Sequence, residues 1–354
     1  MNQCAEDLHP VPPGNEPGRD DGEHAMTTEC REGILELGEF ALHHGGALPG
    51  VRLAWRLEGA AGGPVVVALG GISAHRRVYC VDDPRQGWWP VMAGPGHPLD
   101  ADRFRVLGFD FLGGSGMSTG PGQDAAGFPA VSSHDQAELL RALCDHLGIG
   151  RLHAIVGASY GGMVALAFAA RFPARVDRLL VISAAHRGNP LATGWRSVER
   201  EAVRFGLRHG DGPGGLRLAR ALAMATYRTR REFEQRFRDE PEFEDSRAVF
   251  PVERYLFGRG DDYARRYSPG AFICLSESID LHRVEPEAIS VPVTLVAVTE
   301  DQLVTVEEMR ELSARLAGPS RLYEFHSLFG HDAFLKEREQ LEPAFRAALY
   351  GEEP

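Results

Sequence analysis

The residues that could do chemistry begin with Gly157-x-Ser159-x-Gly161, which follows an apolar run and precedes an alanine-rich stretch. Those flanks are the strand and helix that a nucleophile elbow requires. The glycines let the chain turn tightly, so that the serine oxygen stands exposed at the C-terminal end of the strand. The helix behind it brings unpaired N–H groups and a partial positive charge. A serine hydroxyl is a weak nucleophile, needing a base that is itself oriented by an acid. On such a scaffold the chain order is serine, acid, histidine. Asp301 follows the apolar run 293–298, and His331 follows another at 321–325. Both therefore belong to loops at strand ends. Two competitors are weaker: Glu300 reads as a solvated loop residue, and His326 falls directly after its strand, five positions early. A tetrahedral oxyanion needs two donors, usually backbone amides. One is assigned to Tyr160, beside the nucleophile. The other is expected from the loop Gly70-Gly71-Ile72-Ser73-Ala74-His75, where Gly70 and Gly71 let the backbone come close to the site.

The elements that must position these groups show in the periodicity. Residues 35–42 and 51–57 alternate like strands, and 64–69, 104–109, 152–156, 179–183, 291–298 and 321–325 are short apolar runs. Between them, 134–147, 163–171, 307–316 and 340–349 have helical spacing. This alternation predicts an α/β fold, a mostly parallel sheet with helices on both faces. Residues 186–286 break the rhythm. They are arginine-rich, with helices expected at 197–205, 215–227 and 231–237 and no convincing strand, and they read as a helical lid inserted between two strands. The core is then 34–185 plus 287–354. Residues 1–33, rich in Pro, Gly, Asp and Glu, have too little apolar surface to offset the entropy of ordering and read as a disordered acidic tail.

Composition excludes several classes. The 354 residues suit one large domain with an insertion, and no run approaches the ~20 apolar residues of a membrane span. No basic region followed by an apolar stretch opens the chain, so no secretory signal is read. The net charge is −12, of which −6 falls in residues 1–33, and only Lys336 is a lysine. The arginines are scattered rather than clustered, so a nucleic-acid partner is not expected. Five cysteines without a CxxC pair give neither a disulfide framework nor a metal signature, and a reducing cytoplasm is expected.

Further stretches carry a resemblance. They include Gly87-Trp88-Trp89, Gly94-Pro95-Gly96, Leu99 through Phe104, Leu112-Gly113-Gly114, Ser118 through Pro121, and Gly161-Gly162-Met163. Downstream lie Gly215-Leu-x-x-Ala219-Arg220, Thr226-Tyr227-Arg228, Asp301-Gln302-Leu303 and Gly330 through Leu335. Together, over roughly residues 40–350, the chain resembles the homoserine O-acyltransferases of methionine biosynthesis, a branch of the α/β-hydrolase fold. The resemblance implies that an acyl-CoA acylates Ser159 and that the L-homoserine hydroxyl then takes the acyl group, with no cofactor or metal. It maps the substrate carboxylate onto Arg220 and the amino group onto Asp332. Two opposite charges suit a zwitterion, and arginine can hold a carboxylate with two parallel hydrogen bonds.

Departures fall near the acyl pocket: Ile72-Ser73 in the oxyanion loop, His75-Arg76-Arg77 after it, and Asp110-Phe111 before Leu112. Arg76 and Arg77 are the expected readers of a distal carboxylate, so succinyl-CoA is favoured over acetyl-CoA. A homodimer is expected. The rival readings are an acetyl-CoA enzyme, a serine acceptor, a plain esterase in which water replaces the amino acid, and a non-enzymatic binding module.

Overall fold

In the computed structural model, which describes residues 28–122 and 125–352, the apolar runs become one eight-stranded sheet. Its strands are β1 (Thr28–Glu36), β2 (Arg52–Ala60), β3 (Val65–Leu69), β4 (Arg105–Phe109), β5 (Ala154–Ala158), β6 (Leu179–Ile182), β7 (Val293–Val298) and β8 (Ser320–Phe325). The spatial order is β1-β2-β4-β3-β5-β6-β7-β8. β1 runs antiparallel to β2 and β2 to β4, and every other neighbouring pair is parallel.

The central strands are apolar at every position because both faces are covered. On one face Val65, Val67, Leu69 and Ile155 join a core with α1 (Ser133–His146) and α2 (Tyr160–Arg171). Between β6 and β7 the chain leaves the sheet for α3 (Pro190–Arg208), α4 (Gly212–Tyr227), α5 (Arg230–Arg236), α6 (Pro251–Ala264) and α7 (Pro269–Asp280). It then returns through β7, α8 (Val306–Arg315), β8 and α9 (Arg338–Tyr350). Met309 and Leu312 of α8 complete the first core. Leu341, Phe345 and Leu349 of α9 cover the opposite face with Val66, Ala68, Val156 and Ile182.

The segment expected as a lid is helical, and its elements differ in part from those expected. Helices α6 and α7 are additions, and residues 242–244 pair with 247–249 in a short hairpin. α7 is buried along nearly its whole length, so it shows no two-sided polar pattern. α3 is fastened to α7 at Asp280, which accepts from Thr193 Oγ1 at 2.9 Å, Arg196 Nε at 2.7 Å and Arg200 Nη1 at 2.6 Å.

The expected boundary at residue 34 is corrected. Residues 28–33 are ordered within β1, paired from Thr28↔Ala60 to Gly33↔Trp55. Their side chains are largely exposed, so main-chain pairing rather than an apolar pattern holds them. The rest of the expected tail lies outside the described residues. The run expected as one strand at 35–42 ends at Glu36, and Phe40–Ala41 instead pairs with Ala47–Leu48.

Candidate active site

Ser159 sits between β5 and α2 with φ 53° and ψ −124°. A non-glycine residue pays for this conformation, and such strain persists only where the surroundings impose it. The flanking glycines are what the turn requires. A side chain at Gly157 would run into the Gly161 carbonyl, and one at Gly161 into the backbone of Leu69. The elbow is tied down by Ser159 N–H donating to Ile182 O at 2.9 Å and Gly161 N–H donating to Gly70 O at 2.8 Å.

His331 lies in a short 3-10 turn, Gly330–Leu335, after β8. Its Nδ1 donates to Asp301 Oδ2 at 2.7 Å. Because that carboxylate only accepts, Nε2 is left to accept from Ser159 Oγ, at 2.9 Å. The other oxygen of Asp301 accepts from Leu303 N–H at 2.8 Å and Val304 N–H at 3.1 Å, which fixes the carboxylate in its loop. Burial alone would lower the His331 pKa. The charge and hydrogen bond of Asp301, with the charge of Asp332, outweigh it and raise the imidazole above its ordinary 6.5. The two competitors pair with each other instead: His326 Nδ1 and Glu300 Oε1 are 2.9 Å apart at the surface, where the His326 side chain is 84% exposed.

A cavity of about 180 Å³ opens onto Ser159 and His331 and is walled by Gly71, Ile72, Trp88, Arg220, Tyr227 and Asp332. The two residues assigned to the zwitterion thus share one chamber with the nucleophile. The Arg220 guanidinium lies over the rings of Tyr263 and Tyr227, 4.8 and 5.3 Å from their centroids. Among the described residues it makes no ion pair. Burial pulls its pKa down, but Tyr227, Tyr263, Asp332 and Glu199 together raise it. Asp332 is buried, and its Oδ2 accepts from Arg228 Nε at 2.9 Å.

The oxyanion loop is held from the lid. Tyr267 donates its hydroxyl to Ile72 O at 2.7 Å, and Tyr263 Oη lies 3.0 Å from Ser73 Oγ. Gly71 lies beside the nucleophile: a Cβ built on it would be 4.0 Å from Ser159 Oγ, an ordinary contact distance. The Tyr160 ring is fully buried, its Oη 2.5 Å from Ser278 Oγ.

The arginines expected to read an acyl carboxylate are placed elsewhere. Arg76 donates from its backbone to Asp110 Oδ1 at 2.7 Å and from Nη1 to Asp110 Oδ2 at 2.8 Å, so its charge is committed to a buried acid. Arg77 turns to Gln86, 2.6 Å, and to Glu32, 3.8 Å. Neither lines the chamber at Ser159. Arg76 lines a neighbouring cavity of about 500 Å³ that shares Ile72, Trp88 and Arg220 with the first and also carries Arg85 and Arg266.

A smaller recess on the lid side of Ser159 and His331 is lined by Arg196, Glu199, Trp195 and Leu303. Burial holds the Glu199 carboxyl up to about 7, against the pull of Arg196, Arg220 and Arg200. Arg196 and Glu199 carry no signal in the sequence beyond lying in an arginine-rich helical stretch, and Arg228 enters it only within Thr226-Tyr227-Arg228, with no role attached. Only their neighbours in space distinguish them.

Among the described residues, no group of three or more His, Cys, Asp or Glu could hold a metal ion, and no helix is long and apolar enough to cross a membrane.

Comparison with known proteins gives the following. Residues 64–337 match the α/β-hydrolase fold family. The chain is 42% identical over 300 residues to a homoserine O-succinyltransferase of Xanthomonas campestris, covering 84% of this chain and 79% of that one. It is 34% identical to a serine O-succinyltransferase of Litchfieldella anticariensis, covering 88% and 96%. The crystal structure of a homoserine O-acetyltransferase from Bacillus anthracis superposes with a TM-score of 0.81 at 19% identity, over 90% of this chain and 97% of that one.

Proposed function

The chain belongs to the α/β-hydrolase family and, within it, to the homoserine O-acyltransferases, and from this premise we propose that it transfers a succinyl group from succinyl-CoA to the hydroxyl of L-homoserine, a step of methionine biosynthesis. The observation that carries the reading is the Ser159–His331–Asp301 set opening onto one chamber with Arg220 and Asp332. An esterase needs only the first three. Water would leave a buried cation and a buried anion in the acceptor chamber with nothing to read.

In this reading, Ser159 Oγ attacks the thioester carbonyl while His331 Nε2 takes its proton. Two backbone amides, Tyr160 and either Gly71 or Ile72, stabilise the oxyanion. The C–S bond breaks, and the proton on His331 passes to the departing thiolate. The acyl group stays on Ser159. The acceptor's hydroxyl then gives its proton to His331 and attacks the acyl carbonyl, and Ser159 leaves with that proton. Asp301 holds the imidazole in the tautomer both steps need and stabilises its charged form. Arg220 takes the acceptor's carboxylate and Asp332 its ammonium.

The succinyl donor is favoured because the relative at 42% identity carries that activity in its name. A distal carboxylate must meet a cation when enclosed. Arg76 and Arg77 lie outside the Ser159 chamber and Arg220 is assigned to the acceptor, so we assign this role to Arg196, which lines the lid-side recess beside Ser159 and is shared with Asp280, the acceptor from its Nε at 2.7 Å. The relative at 34% identity makes serine the second acceptor to test.

We also propose a cytoplasmic homodimer. Leu191, Val198 and Phe205 recur every seven residues on α3 and are each more than half exposed, with Leu218 of α4 nearby in sequence. Seven residues are close to two helical turns, so they form one apolar stripe suited to a second copy. The free thiols of Cys80, Cys144 and Cys274 suit a reducing compartment.

The testing experiment measures free thiol released from succinyl-CoA and from acetyl-CoA, each with homoserine, with serine and with neither. Acceptor-dependent release with homoserine and succinyl-CoA is expected. Equal release without any amino acid would mean an esterase.

A further inference from the structure

We infer that Arg228 is a positioning residue of the acceptor site: it holds Asp332 by one oxygen and leaves the other for the acceptor's ammonium. The inference rests on the proposed reading of Asp332 and extends it to a residue in the lid.

Arg228 follows α4 directly and is buried. Its Nε donates to Asp332 Oδ2 at 2.9 Å, and its Nη1 donates to Glu232 Oε1 at 3.1 Å. Glu232 also accepts from Arg236 Nη1 at 2.9 Å. The guanidinium is therefore shared between two acids, one facing the cavity and one behind it. The face of Phe329, 5.4 Å away, closes one side. Among the described residues no hydrogen bond reaches Asp332 Oδ1, and Asp332 lines the chamber with Ser159.

This arrangement has a chemical consequence. A carboxylate at the cavity wall can rotate and offer either oxygen, or turn away. An arginine bond to one oxygen fixes the plane of the carboxylate and aims the second oxygen. The four groups Asp332, Arg228, Glu232 and Arg236 carry no net charge together. Adding an ammonium on Asp332 and a carboxylate on Arg220 then introduces one charge of each sign into the chamber.

The same segment also touches both loops that carry the triad. Thr229 Oγ1 donates to Leu328 O at 2.7 Å, and Gln302 Nε2 donates to Arg228 O at 3.3 Å. A brace of that kind would affect every reaction equally. Reading an ammonium would affect only acceptors that have one, and this difference supplies the test.

The probes are homoserine and 4-hydroxybutyrate, which is homoserine without its amino group. Each is used as acceptor with succinyl-CoA. The wild-type protein is expected to prefer homoserine in kcat/KM by roughly tenfold to a hundredfold, the value of a hydrogen bond between charged groups. In Arg228→Gln that preference is expected to fall to a few-fold through a raised homoserine KM. The thiol burst from Ser159 acylation should change less than about threefold. Arg228→Lys keeps the charge without the fixed fork and should fall between. If Arg228→Gln does not fold, the ratio in Arg228→Lys decides. Loss of both acceptors in equal proportion, or an unchanged ratio, overturns the inference while leaving the proposed function intact. A wild type that transfers to neither homoserine nor serine overturns both.

Discussion

His331 Nε2 lies 2.9 Å from Ser159 Oγ although 172 positions separate them in the chain. The contact joins the ends of two strands of one sheet, β5 and β8. A covalent acyl-enzyme is the outcome expected of it. Ser159→Ala should lower transfer by several orders of magnitude, as removal of other triad serines does. Mass spectrometry of the protein with succinyl-CoA should show a succinyl adduct on the Ser159 peptide, and initial rates should give parallel double-reciprocal lines. Intersecting lines with no adduct would remove the acyl-enzyme.

Asp301 is expected to act through His331 rather than through a metal ion. Asp301→Asn keeps an oxygen for the Leu303 and Val304 amides but puts a donor in place of an acceptor toward Nδ1. Turnover should drop by about 10⁴, with the wrong tautomer as the cause, while the melting temperature stays within a few degrees. Activity should survive prolonged EDTA. Loss with EDTA and recovery with zinc would contradict the mechanism.

Arg220 should show in the acceptor's kinetics. Arg220→Ala is expected to raise the homoserine KM by about one to two decades, the equivalent of roughly 1.5–3 kcal/mol for a charged hydrogen bond. The KM for acyl-CoA should move far less. Arg220→Lys should keep much of the defect, because an ammonium cannot form two parallel bonds to a carboxylate.

Arg76 and Arg196 should separate stability from donor choice. Arg76→Ala strands the buried Asp110 carboxylate and should destabilise the fold by about 3 kcal/mol, as breaking other buried pairs does. It should leave the ratio of succinyl to acetyl specificity constants nearly unchanged. Arg196→Met should lower that ratio at least tenfold. A normal ratio in Arg196→Met would place the acyl carboxylate elsewhere.

The pH dependence has two opposite signs. Acylation needs neutral His331, whose pKa is raised above 6.5, so kcat/KM for acyl-CoA should climb with pH and level off above that raised value. The charged imidazole is favoured in the fold, so its stabilisation is complete below 6.5 and is lost as pH rises through the folded pKa. His282 behaves in reverse. Burial lowers its pKa to about 3, so the stability it contributes is present above 6.5 and is lost as pH falls from there toward 3. Melting curves across pH 5–8 should therefore lose acid sensitivity in His282→Asn and lose the alkaline decline in His331→Gln. A His282→Asn profile parallel to the wild type would dismiss the buried histidine as the acid-sensitive group.

The elbow was legible in the sequence because it is local. Strand, glycine-flanked turn and helix follow one another between 154 and 171, and the conformation of Ser159 depends on its immediate neighbours. Asp301 and His331 were legible because chain order and strand ends constrain them, and the pairing of Glu300 with His326 shows why those two were the weaker candidates. The roles given to Arg220 and Asp332 needed the family resemblance, since by spacing Arg220 is one lid arginine among many and Asp332 is only the residue that follows His331. What only the tertiary structure decided was pairing. Arg76 is spent on Asp110, 34 positions away, and Asp332 is held by Arg228, 104 positions away. A sequence shows how many charges a segment carries, but burial and partner decide whether a charge is free to meet a ligand. The same reason hid the start of β1. Its exposed side chains carry no apolar pattern, and its order comes from backbone hydrogen bonds to β2, which any sequence can make once the partner strand is in place.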